Sequence, residues 1–129
     1  MSISAADRAE IIDIVSRADA AATRRDAAAY VALFTDDAVL DGSEGRHSAA
    51  ALCSSVGPIW AAEGPASLHL TLNPVVDPGA SPDEAVVHSI LLIVEPAAPI
   101  TIRTAVAITQ TLRRTGDTWR ISRRTVASF

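Results

Sequence analysis

The chain has 129 residues, 49% of them hydrophobic, and a formal net charge of −4 at pH 7. These values favour one globular domain over residues 1–129 and argue against a disordered tail or a nucleic-acid-binding surface, which needs an excess of basic residues. The lone Cys53 excludes an internal disulfide. Without a signal-peptide pattern or an apolar run of membrane-spanning length, we expect a cytoplasmic protein that does not contact membranes.

The chain begins with two helical patterns. Ser4 is a favourable N-cap for a first helix that continues to about Thr23, with apolar residues at helical spacing along one face. Asp26 is placed to cap a second, shorter helix whose apolar face includes Phe34. The pair Asp36-Asp37 is expected to end this helix, and extended chain follows it.

A loop and a third helix come next. Gly42 and Gly45 indicate the loop, in which three polar side chains are most simply solvated: Glu44, Arg46 and His47. Ser48 is placed to cap a helix over about residues 49–56. Gly57-Pro58 is expected to break that helix, because proline lacks the amide hydrogen that a helix interior requires.

The second half of the chain is rich in Val, Ile, Leu and Thr and predicts four strands. They cover residues 67–76, 85–95, 100–114 and 118–127. Their connections are short and contain Pro or Gly, which favours an antiparallel meander. Helices followed by strands are typical of an α+β domain.

Residues 86–94 place apolar side chains on both faces of their strand. An antiparallel sheet with one wet face alternates apolar and polar residues. We therefore expect one face to pack on the helices and line a pocket, while the other contacts a second copy of the chain in a homodimer. Cover by the chain's own loops is the alternative.

The strand that contains His69, Thr71 and Asn73 is the strongest candidate for chemistry. Period-two geometry places these three polar side chains on one face and leucines on the other. Histidine, with an unperturbed pKa of about 6.5, can transfer protons near neutral pH. The alternative is that His69 makes one hydrogen bond and fills the pocket wall.

The order of elements resembles the SnoaL-like branch of the nuclear transport factor 2-like superfamily. The resemblance rests on helices first, the pair Asp36-Asp37, and a final hairpin whose second strand begins Trp119-Arg120-Ile121. It covers nearly the whole chain. It implies an α+β cone, in which three N-terminal helices pack in a strongly curved antiparallel sheet around an internal apolar pocket.

Two motifs extend this resemblance to the site. Some SnoaL-like enzymes, including the hexachlorocyclohexane dehydrochlorinase type, have a His-x-x-x-Asn strand whose His abstracts a proton, and His69 and Asn73 match it. The same group has an Arg five positions after the Trp of the last hairpin, as Trp119 and Arg124 do here. The resemblance implies that Arg124 stabilises negative charge at the pocket. A solvated arginine is the alternative.

The carboxylate that assists the His in that group is missing here, because its position falls near Thr23. Asp19 lies one helical turn earlier on the same stripe and is a candidate substitute, with an exposed salt bridge as the alternative. The ketosteroid-isomerase branch is a poorer comparison. Its three catalytic positions fall near residues that cannot perform its chemistry: Ala18, Gly42 and Gln110.

Four further residues are candidate ligand contacts. Tyr30 and Trp60 are suited to line the pocket or to fill the core. His88 lies among apolar strand neighbours, where it contacts the ligand or the pocket wall or an interface. Arg103 shares a strand face with small residues and is a candidate to bind an anionic group in the pocket, or to reach its rim. The histidines are too scattered for a metal site, and we expect no cofactor.

These features predict a small-molecule pocket protein. One hypothesis is a cofactor-independent lyase, isomerase or cyclase that acts on a small apolar polyketide, terpenoid or halogenated compound. His69 is then the general base, Asn73 orients it or the substrate, Arg124 stabilises charge and Asp19 assists. The alternative is a non-catalytic ligand-binding, sensor or accessory-subunit protein of the same fold, which the missing carboxylate at Thr23 favours.

Overall fold

The computed structural model describes residues 2–42, 45–64 and 66–129. Its helices and strands, in chain order, are α1 (Ala5–Arg24), α2 (Ala27–Val31), β1 (Phe34–Gly42), β2 (Gly45–Ser48), α3 (Ala49–Ala62), β3 (Leu68–Pro78), β4 (Glu84–Glu95), β5 (Thr101–Thr115) and β6 (Thr118–Ala127). The first helix and the four long strands confirm the expected bounds to within two residues. None of the helices in the described ranges combines the length and apolarity needed to cross a membrane.

The six strands form one curved, unclosed sheet in the order β2-β1-β6-β5-β4-β3, which confirms the α+β class. All neighbours pair antiparallel except β1 and β6, which run parallel. Shifts of register between paired strands place β-bulges in β3, β5 and β6, and bulges bend and twist strands. The helices pack on the concave face, where α1 contacts β3 and β6 and α3 contacts β1 and β2.

Helix α1 begins at its expected cap and buries one face. The Ser4 hydroxyl accepts a hydrogen bond from the Asp7 amide at 3.0 Å. The buried stripe recurs at helical spacing and consists of Ile11, Ile14, Val15, Ala18, Asp19, Ala21 and Ala22. Arg25 ends the helix in the left-handed conformation, with φ of 58°, and its amide donates to the carbonyls of the last turn.

The second helix is shorter than expected, because the segment around Asp36-Asp37 belongs to β1. Phe34 pairs with Ile121 of β6, and the Ile121 amide donates to the Leu33 carbonyl at 2.8 Å. Phe34 is buried by this pairing. Hydrogen bonds between distant segments therefore outweigh the local preference for a helix end, and the two aspartates lie within a strand.

The third helix continues through Gly57-Pro58, contrary to expectation, and ends at Ala62. Leu52, Val56 and Trp60 recur every four residues and are all buried against the core. Burial of each such side chain contributes about 1.5–3 kcal/mol, whereas a proline in a helix interior costs about 3 kcal/mol. The apolar stripe on both sides of the proline therefore holds the helix together.

The expected loop after Gly42 contains a short strand. Arg46 and His47 lie in β2, which pairs antiparallel with β1, while Glu44 is outside the described residues. Asp41 of β1 accepts from Arg123 at 2.6 Å and lies 3.6 Å from Arg46. These ion pairs connect three adjacent strands.

Trp119 joins the start of α1 to the final hairpin. Its indole Nε1 donates to the Asp7 carboxylate at 3.1 Å, and its amide donates to Glu10 at 3.0 Å. Arg114 donates to the same Asp7 carboxylate at 3.1 Å and lies over the Trp119 ring. The hydrogen bond from Trp119 is the main cause that lowers the pKa of Asp7. Partial desolvation of the carboxyl opposes it, and hydrogen bonds from Ser4 and Arg114 together with the charge of Arg114 lower the pKa further.

In Asp7→Asn, the free energy of unfolding is expected to fall less steeply as the pH is lowered than in wild type. The reason is that the folded-state pKa of Asp7 lies below its ordinary value of 3.8. A carboxyl of this kind stabilises the fold above its unfolded-state pKa, and the contribution is lost as the pH falls through the folded-state pKa. Urea unfolding between neutral pH and strong acid measures the effect. Asp117→Asn, in an exposed turn, is the control. If the free energy of unfolding had the same pH dependence in wild type and Asp7→Asn, the stabilising role of the Asp7 carboxylate would be contradicted.

Candidate active site

A cleft of about 230 Å³ lies between the helices and the concave face of the sheet. We call it the inner cleft. Its apolar walls come from α3 and the central strands and include Val56, Ile59, Leu91, Ile93, Val106 and Val126. Its polar side chains include Asp19, His47, Glu63, His69 and Arg124. The volume is below the range of about 300–1,000 Å³ that is usual for drug-sized ligands, so the cleft suits a small molecule.

His69 lies on β3 and pairs with a carboxylate that sequence reasoning did not identify. Its ring is buried, and Nε2 is 2.7 Å from Glu63 Oε2. Glu63 is the C-terminal cap of α3, and its side chain is 24% exposed at the edge of the cleft. The expected break at Pro58 hid this residue, because only the continued helix places Glu63 beside β3.

The Glu63 carboxylate determines which ring nitrogen of His69 is available. An ionised carboxylate only accepts hydrogen bonds, so Nε2 carries a hydrogen and donates it. In the neutral ring, Nδ1 is then the unprotonated nitrogen. Among the described residues, Nδ1 makes no hydrogen bond. The imidazole therefore presents one basic atom, and the resulting imidazolium is stabilised by the carboxylate on its other side.

The end of α1 fixes the segment between Glu63 and His69. The Thr23 hydroxyl accepts from the His69 amide at 2.9 Å and lies 3.3 Å from the His69 carbonyl, to which it donates. Arg25 donates to the Gly64 carbonyl at 2.6 Å and to the Ser67 hydroxyl at 2.8 Å. Thr23 therefore holds the backbone of His69 at the position where the resemblance places a carboxylate, and Glu63 contacts the ring from another element.

Asp19 and Arg124 form a second polar pair, and both are buried. Arg124 Nη2 donates to Asp19 Oδ1 at 3.2 Å, and the Thr71 hydroxyl donates to Asp19 Oδ2. The alternatives of an exposed salt bridge and a solvated arginine are wrong. The suggested role of Asp19 beside His69 is also wrong, because its hydrogen-bond partners in the described ranges are Thr71 and Arg124.

Arg124 is charged despite its burial. Burial alone lowers the pKa of a guanidinium, but Tyr30, Asp19 and Glu63 surround it with partial or full negative charge and together raise the pKa of Arg124. Its Nη1 atom is buried and has no hydrogen-bond partner in the described part of the chain. Arg124 lines the inner cleft, so this unpaired donor is part of the cleft wall.

Tyr30 and Trp60 line the inner cleft and also pack on each other. Their rings meet edge to face with centroids 5.3 Å apart, a favourable arrangement for aromatic pairs. Burial raises the pKa of the Tyr30 hydroxyl. The hydroxyl therefore stays neutral at physiological pH and can donate a hydrogen bond.

Three sequence candidates lie outside the inner cleft. Asn73 is exposed, because a bulge after Leu72 interrupts the alternation and gives it a φ of 51°. His88 is exposed on the outer face of β4, where its Nδ1 is 3.4 Å from the Thr109 hydroxyl. Arg103 is exposed at a bulge of β5. The small residues at every second position after it, which were expected to share its face in the pocket, lie on the outer face of the sheet. No three His, Cys, Asp or Glu side chains in the described ranges are gathered to hold a metal ion.

Asp19→Asn is expected to lower the free energy of unfolding by about 3–5 kcal/mol, because it leaves the buried Arg124 charge without its carboxylate. The double variant Asp19→Leu with Arg124→Met is expected to recover most of that loss, since removal of both charges leaves none unpaired. Urea denaturation of the three proteins measures both effects. An Asp19→Asn variant as stable as wild type would contradict the pairing.

Several solved structures share this fold. A protein of unknown function with a cystatin-like fold from Nostoc punctiforme has a TM-score of 0.85 and 21% identity, over 98% of this chain and 93% of that chain. An NTF2-like protein from Novosphingobium aromaticivorans has a TM-score of 0.82 and 22% identity, over 96% and 82%. The protein LinA has a TM-score of 0.82 and 18% identity, over 95% and 85%.

Identities this low show the fold alone. No curated protein matches the chain. The sequence does match a family, that of the SnoaL-like domain, from residue 4 to residue 125. The chain therefore belongs to the SnoaL-like domain family.

Proposed function

We propose that the protein is a cofactor-independent enzyme that removes a proton from carbon in a small, largely apolar compound, with His69 as general base. Membership of the SnoaL-like family supports an isomerase- or lyase-type fold for small molecules. The observation that carries the proposal is the hydrogen bond of 2.7 Å between Glu63 and His69 on the wall of the inner cleft. A positioned base of this kind typically contributes a factor of about 10²–10⁴ in rate.

The first step is proton transfer to His69 Nδ1. The carbon–hydrogen bond breaks, its electron pair stays with the substrate, and the imidazolium is stabilised by Glu63. In an elimination, the electron pair forms a double bond as a leaving group departs. In an isomerisation, the electron pair shifts along the substrate and the imidazolium returns the proton at another carbon. In a cyclisation, the pair forms a carbon–carbon bond to a carbonyl carbon, and the carbonyl oxygen takes the proton as its π bond breaks. Polyketides have such acidic carbon–hydrogen bonds beside their carbonyl groups, halogenated compounds have them beside carbon–halogen bonds, and terpenoids have them where a carbonyl group is adjacent.

Arg124 stabilises the negative charge that this transfer creates. Its free Nη1 can donate to an oxygen or a leaving group in the inner cleft, while Nη2 is held by Asp19. A donor that is fixed before the reaction stabilises charge without reorganisation. The apolar walls strengthen this interaction because they lower the local dielectric constant.

His69→Gln is expected to lower kcat/KM for 5-nitrobenzisoxazole by about 10²–10⁴-fold, because this probe reacts when a base removes its one acidic carbon-bound proton. The released phenolate is followed by absorbance. Glu63→Gln is expected to give a smaller loss, since glutamine still accepts a hydrogen bond but does not stabilise the imidazolium.

His88→Gln is the matched control, because it removes an exposed imidazole on the outer face. It is expected to keep the wild-type rate. A His69→Gln variant as active as wild type would refute the proposal, and so would a wild-type protein that binds the probe without accelerating its elimination. The second result would favour a ligand carrier.

We also propose that the chain forms a homodimer through the outer face of its sheet. Leu70 and Leu72 of β3 are 39% and 38% exposed. In register, Leu70 is opposite Leu92, which is opposite Ala105, and Leu72 is opposite Ile90, which is opposite Ala107. Two uncharged apolar rows therefore run side by side across β3, β4 and β5. A second copy is the occupant that this uncharged patch favours, because the patch is complementary to itself under a two-fold axis.

Leu72→Asp is expected to convert the dimer to a monomer of 13.5 kDa, because it places a charge within the patch that the dimer buries. Light scattering after size-exclusion chromatography measures the mass. Ser16→Asp, on the exposed face of α1, controls for the added charge and is expected to stay dimeric. A monomeric wild type, or a Leu72→Asp variant that remains a dimer, would contradict the proposal.

A further inference from the structure

The buried side-chain nitrogen and oxygen atoms that have no hydrogen-bond partner in the described ranges belong to three residues. They are His47 Nε2, Arg124 Nη1 and both side-chain amide atoms of Gln110. Buried polar atoms are nearly always paired in folded proteins, so each exception calls for an explanation. The proposed chemistry uses Arg124 but leaves His47 without a role.

These three residues lie in one lateral row across the sheet. His47 of β2 is opposite Leu40 of β1, Leu40 is beside Arg124 of β6, and Arg124 is opposite Gln110 of β5. Neighbouring strands are about 4.8 Å apart, so the backbones of His47 and Arg124 are roughly 10 Å apart across Leu40. Side chains on the concave face of a curved sheet converge, which brings their tips closer together.

Two of the three residues face the inner cleft. His47 and Arg124 line it together with Leu40, whereas Gln110 is fully buried behind Arg124 and does not. The ion pairs of Asp41 with Arg46 and Arg123 hold the register of these strands from positions that alternate with His47 and Leu40. A slip of one residue would turn His47 outward, so these pairs hold it toward the cleft.

We propose that His47 and Arg124 form a paired polar subsite for a ring compound that carries two oxygen functions, one at either end. The proposal rests on the proposed function and narrows its substrate class. Arg124 Nη1 can only donate, so it selects a carbonyl, phenolic or carboxylate oxygen. His47 Nε2 donates or accepts according to its tautomer, and it suits a hydroxyl or a carbonyl.

The space between the two nitrogens suits the ring itself. Leu40 separates His47 from Arg124 in the row and offers an apolar surface to a flat ligand. A halogenated hydrocarbon would cover this surface but would leave both nitrogens unpaired. An oxygenated ring covers Leu40 and gives a hydrogen-bond partner to both His47 and Arg124. Its oxygen at Arg124 is where negative charge accumulates when His69 removes a neighbouring proton.

Three benzene compounds test the subsite, because they share one ring and differ in their hydroxyl groups. They are benzene, phenol and hydroquinone. Wild type is expected to bind them with Kd falling about 2- to 10-fold for each hydroxyl, the range of one hydrogen bond. NMR titration measures each Kd.

His47→Phe is expected to bind phenol and hydroquinone equally, because the ring shape of the side chain is kept and the hydrogen bond is lost. His47→Gln keeps a hydrogen-bonding group and is expected to restore part of the difference. His88→Phe, the matched change on the outer face, is expected to keep the wild-type order. None of these variants disturbs the buried pair of Arg124 with Asp19.

The inference is overturned if wild type binds the three compounds with equal affinity, or if His47→Phe still prefers the second hydroxyl. Neither result affects the proposed general base, since His47→Phe leaves the contact of His69 with Glu63 intact. The proposed function fails separately, through the elimination of 5-nitrobenzisoxazole in His69→Gln.

Discussion

The contact between the Glu63 carboxylate and the His69 imidazole is the interaction on which the site depends. Two residues at the end of α1 make it possible, because Thr23 binds the backbone of His69 and Arg25 binds the loop that leads to it. Helix α3 brings the carboxylate from the opposite side. The distant end of α1 and the C-terminal cap of α3, six residues before His69, therefore fix the position of this residue. A base that is oriented in this way before substrate arrives is what the proposed function requires.

The inner cleft contains two polar pairs, and they differ in how far they are buried. Asp19 and Arg124 neutralise each other, which lets a charged pair remain buried without an unpaired ion. Glu63 and His69 lie at the edge, where the carboxylate keeps partial contact with water. Apolar residues form the rest of the cleft wall. Stability therefore depends mainly on the first pair, and the proposed chemistry depends on the second pair together with Arg124.

The sequence predicted the fold better than the site, for physical reasons. Long Val- and Ile-rich strands and a well-capped first helix are local signals, and they place His69 and Arg124 on strands. Glu63 required knowledge that tertiary packing carries α3 past Pro58. The positions of Asn73 and Arg103 depended on bulges, which reverse the alternation of faces and have no clear local signal. The position of His47 at the cleft depended on the pairing of β2 with β1 at the sheet edge, in a segment that the sequence indicated to be a loop.

If Glu63 orients the His69 ring, the two ring nitrogens of His69 differ in protonation, and this difference can be measured. Nitrogen-15 NMR of the folded protein at neutral pH distinguishes a protonated ring nitrogen from an unprotonated one. The account predicts a hydrogen on Nε2, held by Glu63, and a bare Nδ1 that is free to take a proton. A hydrogen on Nδ1 would contradict the account, because the ring would then have no basic atom to offer a substrate.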